Sequence, residues 1–241
     1  MISRTRSDRR GATNLLLIAA REPVAGFTKT RLGQAIGMER AAQLYHAFLS
    51  DLAARYTPPA LADKPPYDLG WAFTPAECDF TAVLAGLATA PPSDDRIRLV
   101  PQHGADWGVR QANLLRHGHA AGYERTVLTA SDSPHMSLAV VLDAFGALEH
   151  HDVVLGRVTD GGYYLIGVKG EHDVLSGVPM STADAADGVL QRARELGLDV
   201  SEVEPAFDID VVADLDQLRA YCDQYPNVVP ATASAMRDLE I

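Results

Sequence analysis

Four short segments of this 241-residue chain carry side chains able to handle phosphate, a divalent cation or a hydroxyl nucleophile. The first, Arg21 to Leu32, holds Gly26, Lys29 and Arg31 directly after the apolar run Leu15-Leu-Leu-Ile-Ala-Ala20. Glycine lets backbone approach a ligand closely, and Lys and Arg offer phosphate oxygens a point charge and a planar fork. The segment has neither the Gly-Lys-Ser/Thr of a Walker A loop nor the Gly-x-Gly-x-x-Gly of a dinucleotide fingerprint. A solvated turn with two surface bases explains the same residues equally well.

The second segment, Ala130-Ser131-Asp132-Ser133-Pro134, follows another apolar run and exposes a carboxylate that suits Mg²⁺ or Mn²⁺. An Asx turn leading into a helix is the competing explanation. In the third, Phe207-Asp208-Ile-Asp210-Val-Val-Ala-Asp214, Asp208 and Asp210 alternate along an extended stretch and project to one side. Asp210 also stands where a helix N-cap belongs. The fourth, Asp160-Gly161-Gly162-Tyr163-Tyr164, reads as a hairpin turn, whose glycines admit a ligand or another backbone and whose Asp160 can act as a base. Gln102-His-Gly-Ala-Asp106-Trp-Gly108 is a similar polar turn with Asp106 as a cap. His117 and His119 lie two apart on a helix and share no face, and neither His-Glu-x-x-His nor Gly-x-Ser-x-Gly occurs.

Short apolar runs alternating with helical periods must position these segments, which predicts an α/β domain with a mostly parallel sheet flanked by helices. Strands are expected at 15–20, 68–73, 97–100, 126–129, 153–155, 163–166 and near Val200. Helices are expected at 39–56, 76–87, 107–121, 138–148, 183–196 and 212–222, with Ser181 or Thr182 capping the fifth and Asp184 in its first turn. Prolines 58, 59, 65 and 66 break the pattern, and Pro91-Pro92 ends the second helix. Loops at the carboxyl ends of strands are where such sheets bind ligands. The chain divides into a basic tail at 1–13, one domain at 14–225 and a peripheral segment at 226–241.

A net charge of -11 argues against nucleic acid as a partner, although a local basic pair plus a metal still accommodates small phosphorylated ligands. Cys78 and Cys222 stand far apart, which excludes a disulfide scaffold and suits a reducing cytoplasm. No stretch approaches the roughly 20 apolar residues of a membrane span.

Each segment alone is a weak signal; their order is not. The series from Pro-Val-Ala-Gly-Phe-Thr-Lys-Thr-Arg-Leu through Gln-x-Gly-x-Asp-x-Gly, Ser-Asp-Ser-Pro, Asp160-Gly-Gly-Tyr-Tyr-Leu-Ile-Gly167, Pro-Met-Ser-Thr and Asp-Ile-Asp resembles the DUF2064 family. Its members are described as GT-A-type glycosyltransferases or nucleotide-diphospho-sugar transferases, distant relatives of the molybdenum-cofactor and CMP-sugar nucleotidyltransferases. The resemblance runs from about Leu15 to Leu218.

It implies a single Rossmann-like GT-A domain with Lys29 and Arg31 on phosphates beside Gly26 and Ser131. It further implies Asp132 and, by similarity with CMP-sugar synthetases, Asp210 as ligands of Mg²⁺ or Mn²⁺, with Asp160, Gly161, Gly162 and Tyr163 on the acceptor side. The implied partners are a nucleotide or nucleotide-sugar donor and a small-molecule acceptor; a homo-oligomer is compatible with this reading. Glycosyl transfer and nucleotidyl transfer both fit. The sequence departs from the family at Ala25 (usually Pro), Ser133 (often Cys), Met180 (usually Trp) and Val211-Val212 (usually Thr-Pro). The last two departures also suit a GT-A-like domain that binds a ligand without catalysis.

Overall fold

The computed structural model describes residues 13–58, 65–87 and 97–241. The basic tail up to residue 12, most of the proline-rich break and the Pro91-Pro92 stop lie outside these residues. Seven strands form one sheet: β1 (Asn14–Arg21), β2 (Asp68–Thr74), β3 (Ile97–Pro101), β4 (Arg125–Ala130), β5 (Val153–Val158), β6 (Tyr163–Lys169) and β7 (Val200–Ala206). Eight helices are interleaved with them: α1 (Thr30–Ile36), α2 (Met38–Tyr56), α3 (Phe80–Ala85), α4 (Trp107–Ala120), α5 (Leu138–Ala147), α6 (Ala185–Glu195), α7 (Asp214–Gln224) and α8 (Pro230–Asp238).

The strand order is β3-β2-β1-β4-β6-β5-β7, with only β6 antiparallel to its neighbours. The expected α/β fold with a mostly parallel sheet is thus the observed one. β1 is apolar on both faces because both are covered. Leu16, Ile18 and Ala20 enter a core beneath α1, α2, α3, α5, α7 and α8, while Leu15 and Leu17 enter a second core beneath α4 and α6. The order reverses at β1, since β2 lies on one side of it and β4 on the other. The register Ala19↔Ala130 brings the loops that follow β1 and β4 out side by side. That topological switch point opens the crevice in which α/β sheets bind ligands.

Several boundaries differ from the sequence reading. α3 begins at Phe80 rather than 76, because Asp79 accepts the Ala82 N–H and sets the first turn there. α6 begins at Ala185 with Asp184 as its cap residue, so Asp184 is outside the first turn. Thr182 instead bends the chain ahead of the helix, donating to Pro179 O and accepting from Asp184 N. The segment expected to be peripheral contains α8, whose Val229, Thr232, Ala233 and Met236 are buried. Pro230 opens that helix, and the buried carboxylate of Asp51 on α2 accepts the free N–H groups of Ala231 and Thr232 at 3.0 and 2.8 Å. No helix among the described residues is long and apolar enough to cross a membrane.

Candidate active site

A cleft of about 720 Å³ opens at the carboxyl ends of β1 and β4. Within the loop after β1, backbone bonds from Phe27 and Thr28 to Val24 O fold the chain back on itself. Lys29 then adopts a left-handed conformation, φ 47°, at the head of α1. Its side chain is only 4% exposed. The ammonium reaches Asp132 Oδ1, Asp210 Oδ1 at 2.9 Å and the Ile209 carbonyl at 2.6 Å. Burial works against this charge, but Asp132 and Asp210 more than reverse the effect and hold the Lys29 pKa above its ordinary value. Asp210 is held below its ordinary value for the matching reason: Lys29, then Arg31, outweigh its burial. Arg31 itself is 70% exposed, 3.8 Å from Asp210 Oδ2, with its fork open to the cleft.

Asp132 and Asp210 are far apart in sequence, and backbone joins them. Ile209 N donates to Asp132 O at 3.0 Å, Ser133 Oγ donates to Phe207 O at 2.8 Å, and the His135 ring stacks on Phe207 at 3.7 Å. The helix after this segment starts at Asp214, and Asp214 Oδ2 accepts from both Asp210 N and Val211 N at 2.7 Å. The N-cap place expected of Asp210 is instead held by Ala213, with no side-chain cap bond, while Asp214 ties down the turn that leads into the helix. The Asp210 carboxylate is left to the two bases.

Beneath the cleft lies a relay that sequence reasoning missed. Tyr45, counted only as part of the apolar side of α2, accepts from Arg21 N at 2.9 Å and bonds Ser131 Oγ at 2.7 Å, and Ser131 Oγ donates to Ala19 O at 2.7 Å. Ser131 has one proton, so Tyr45 must be the donor between them. Burial, followed by the nearby Asp132 charge, pushes the phenol up to about 12 and keeps it protonated. The Ser131 hydroxyl is thus bound up with the end of β1 and the interior of α2. Its sequence carried no sign of this, since the partners lie 86 and 112 residues away.

Asp208 also lines the cleft. Burial, then Asp210, Asp160 and Asp132, push its carboxyl up from 3.8 to about 6. The folded protein therefore binds more protons than the unfolded chain between those values, and this group's contribution to stability falls as pH rises through the same window. Asp208→Asn is expected to gain about 1–3 kcal/mol over the parent at pH 7 in metal-free buffer, the difference closing toward pH 4. Urea unfolding across that range checks it; a difference independent of pH would show that carboxylate crowding is not the cause.

At the other end of the cleft stand Asp160, Gly162, Tyr163, Trp107, Arg110, Met180 and Ser181. Asp160 Oδ1 accepts Gly162 N at 2.9 Å. The Tyr163 hydroxyl accepts from Gln111 Nε2 at 2.9 Å and donates to the Met180 sulfur at 3.4 Å, which ties Met180, in the position usually held by tryptophan, to β6 and α4. Gly161 and Gly26 are not among the lining residues. Gly161, φ 91°, packs against the Ala183 backbone, so its missing side chain admits another stretch of chain. Gly26, φ 78°, turns the β1 loop.

Asp132 and Asp210 offer hard oxygen donors on side chains 38% and 42% exposed. Among the described residues no three acidic, histidine or cysteine side chains are grouped to hold a metal by themselves. Two carboxylates completed by phosphate oxygens and water is the usual manner of holding Mg²⁺, and the cleft is lined by Asp106, Asp132, Asp160, Asp208 and Asp210 against Arg21, Lys29, Arg31 and Arg110. The residues fit such an ion.

Residues 76–182 match the DUF2064 family model, described as an uncharacterized protein conserved in bacteria. This is the family that the DUF2064-like series of motifs resembles. A solved structure from Desulfovibrio desulfuricans G20, named for the nucleotide-diphospho-sugar transferases, is 27% identical, with a TM-score of 0.81 over 95% of this chain and 96% of that one. A cytidylyltransferase from Leptospira borgpetersenii gives a TM-score of 0.57 at 9% identity, covering 95% and 94%. The 4-diphosphocytidyl-2C-methyl-D-erythritol synthase of Anaerococcus prevotii gives 0.53 at 13%, covering 88% and 99%. The last two share the fold alone with this DUF2064-like chain. No curated protein matches it.

Proposed function

We propose that this chain is a divalent-metal-dependent transferase that uses a nucleotide-sugar donor and a small-molecule acceptor in the cytoplasm. The observation that carries the reading is the meeting of Asp132, Asp210, Lys29 and Arg31 at the switch point of the sheet. The 27% identity to a protein named for the nucleotide-diphospho-sugar transferases supports this choice of donor, and two unpaired cysteines support the compartment. Asp132 and Asp210 would hold Mg²⁺ or Mn²⁺, which when bound neutralises charge on a diphosphate. Arg31 grips phosphate oxygens as a fork, and Lys29 places a buried positive charge beside them. An acceptor hydroxyl attacks the sugar carbon, the nucleoside diphosphate leaves, and Asp160 receives the acceptor proton. Tyr163 and Met180 shape the side from which the acceptor enters.

Nucleotidyl transfer is a second reading, favoured by the basic residues placed directly after β1, where a triphosphate tail would lie. Thermal unfolding against nucleoside triphosphates and nucleotide-sugars, each with and without Mn²⁺, separates the two, since a ligand that binds the native state raises the midpoint. A metal-dependent rise with one nucleotide-sugar and with no triphosphate is expected. A rise with one triphosphate alone would move the assignment to nucleotidyl transfer, and turnover of no donor that binds would leave a binding domain.

A further inference from the structure

The two carboxylates that would hold a metal already share a cation. The Lys29 ammonium lies between Asp132 Oδ1 and Asp210 Oδ1 and is further held by the Ile209 carbonyl. A metal drawing on both carboxylates would stand against the ammonium already paired with Asp132 Oδ1 and Asp210 Oδ1, and like charges repel strongly at such range. Lys29 is also the residue best placed to follow a phosphate. It lies at the end of the loop after β1, two residues ahead of Arg31 on α1, and its side chain lines the open cleft while remaining nearly buried.

We propose that Lys29 is a built-in stand-in for the divalent cation in the nucleotide-free protein. Metal binds Asp132 and Asp210 only when the phosphates of a nucleotide draw Lys29 off them. Phosphate then replaces carboxylate as the partner of the ammonium, and the carboxylates exchange the ammonium for the metal, so no buried charge is left unpaired at either stage. Metal and nucleotide must therefore strengthen each other's binding by the same factor. The proposal rests on the reading of the cleft as a nucleotide and metal site, and it adds an order of events: free metal is refused until the donor arrives. An intracellular cation then cannot occupy the site unproductively, and the two carboxylates are kept apart without it.

The test is uptake of Mn²⁺ alone, read from the loss of the free-ion electron paramagnetic resonance signal on the full chain. Lys29→Met is expected to bind Mn²⁺ about tenfold or more tightly than the parent, within the usual range of site coupling. Arg31→Met removes a charge 3.8 Å from Asp210 without emptying the gap, and its gain is expected to stay near about threefold, as for an exposed charge. The double variant Lys29→Met/Asp132→Asn should lose the gain. Lys29→Gln serves if Lys29→Met does not fold, as judged by circular dichroism. Equal gains in the Lys29 and Arg31 variants, or tight Mn²⁺ binding by the parent alone, would overturn the stand-in role. If the parent still showed a metal-dependent nucleotide shift, that failure would leave the proposed function intact. Failure of the parent and every variant to take up Mn²⁺, with or without the nucleotide panel, would overturn both.

Discussion

Asp132→Ala should lower transferase turnover by on the order of 10³-fold or more and erase the metal-dependent part of nucleotide binding, while leaving the fold in place. The side chain is 38% exposed and belongs to no core. The contact that joins its loop to the Asp208–Asp210 segment is made by its backbone carbonyl, which alanine keeps. Lys29 would retain Asp210 and the Ile209 carbonyl. A thermal midpoint close to that of the parent, together with lost turnover of the donor found in the nucleotide panel, is the expected pair of results. Turnover undiminished in the folded variant would remove Asp132 from the chemistry and with it the centre of the proposed mechanism.

Gly161→Ala should cost about 3 kcal/mol or more of folding stability. Two effects add at this position. The backbone lies at φ 91°, where a side chain is strained by roughly 1–2 kcal/mol. An added Cβ would also fall on the Ala183 carbonyl, 2.7 Å from its carbon and closer still to its oxygen, and that obstacle is main chain rather than a mobile side chain. Gly177 separates the two effects, since it has φ 79° and open space where a Cβ would stand. Gly177→Ala should therefore show the strain alone, about 1 kcal/mol. Urea midpoints at unchanged slope would report both values. Equal losses at the two glycines would mean that the turn moves freely away from Ala183.

Much of this was legible in the sequence because it is local. Buried strands announce themselves as unbroken apolar runs, and a carboxylate directly after such a run, as in Thr129-Ala-Ser-Asp132, is placed by the strand alone. What stayed hidden depends on partners distant in sequence. The first helix, Thr30–Ile36, has seven residues and starts from a left-handed lysine with no side-chain cap, so no start signal marks it. Asp210 resembled a cap because the helix was expected from residue 212; it starts two residues later, and Asp214 reaches back to hold the turn before it. The Tyr45 hydroxyl could not be told from an apolar body by helical spacing, since its partners come from β1 and the β4 loop. The glycine pair at 161 and 162 divides its duties, one serving packing and the other the cleft, a distinction that residue type cannot express.

The long spans in this molecule govern the order in which it can be assembled during synthesis. Lys29 and Asp51 both take partners 180 or 181 residues further along, Lys29 in the Ile209-Asp210 segment and Asp51 at the head of the last helix. A nascent chain presents both residues to solvent long before those partners leave the ribosome. In that interval the face of the second helix that the last helix covers stands open, and distant pairings of this kind are the slow and aggregation-exposed steps of folding. A chain halted before residue 207 would own all seven strands in full and still lack half of its carboxylate pair. Competence at the cleft therefore waits for the Ile209-Asp210 segment, long after Lys29 has been made.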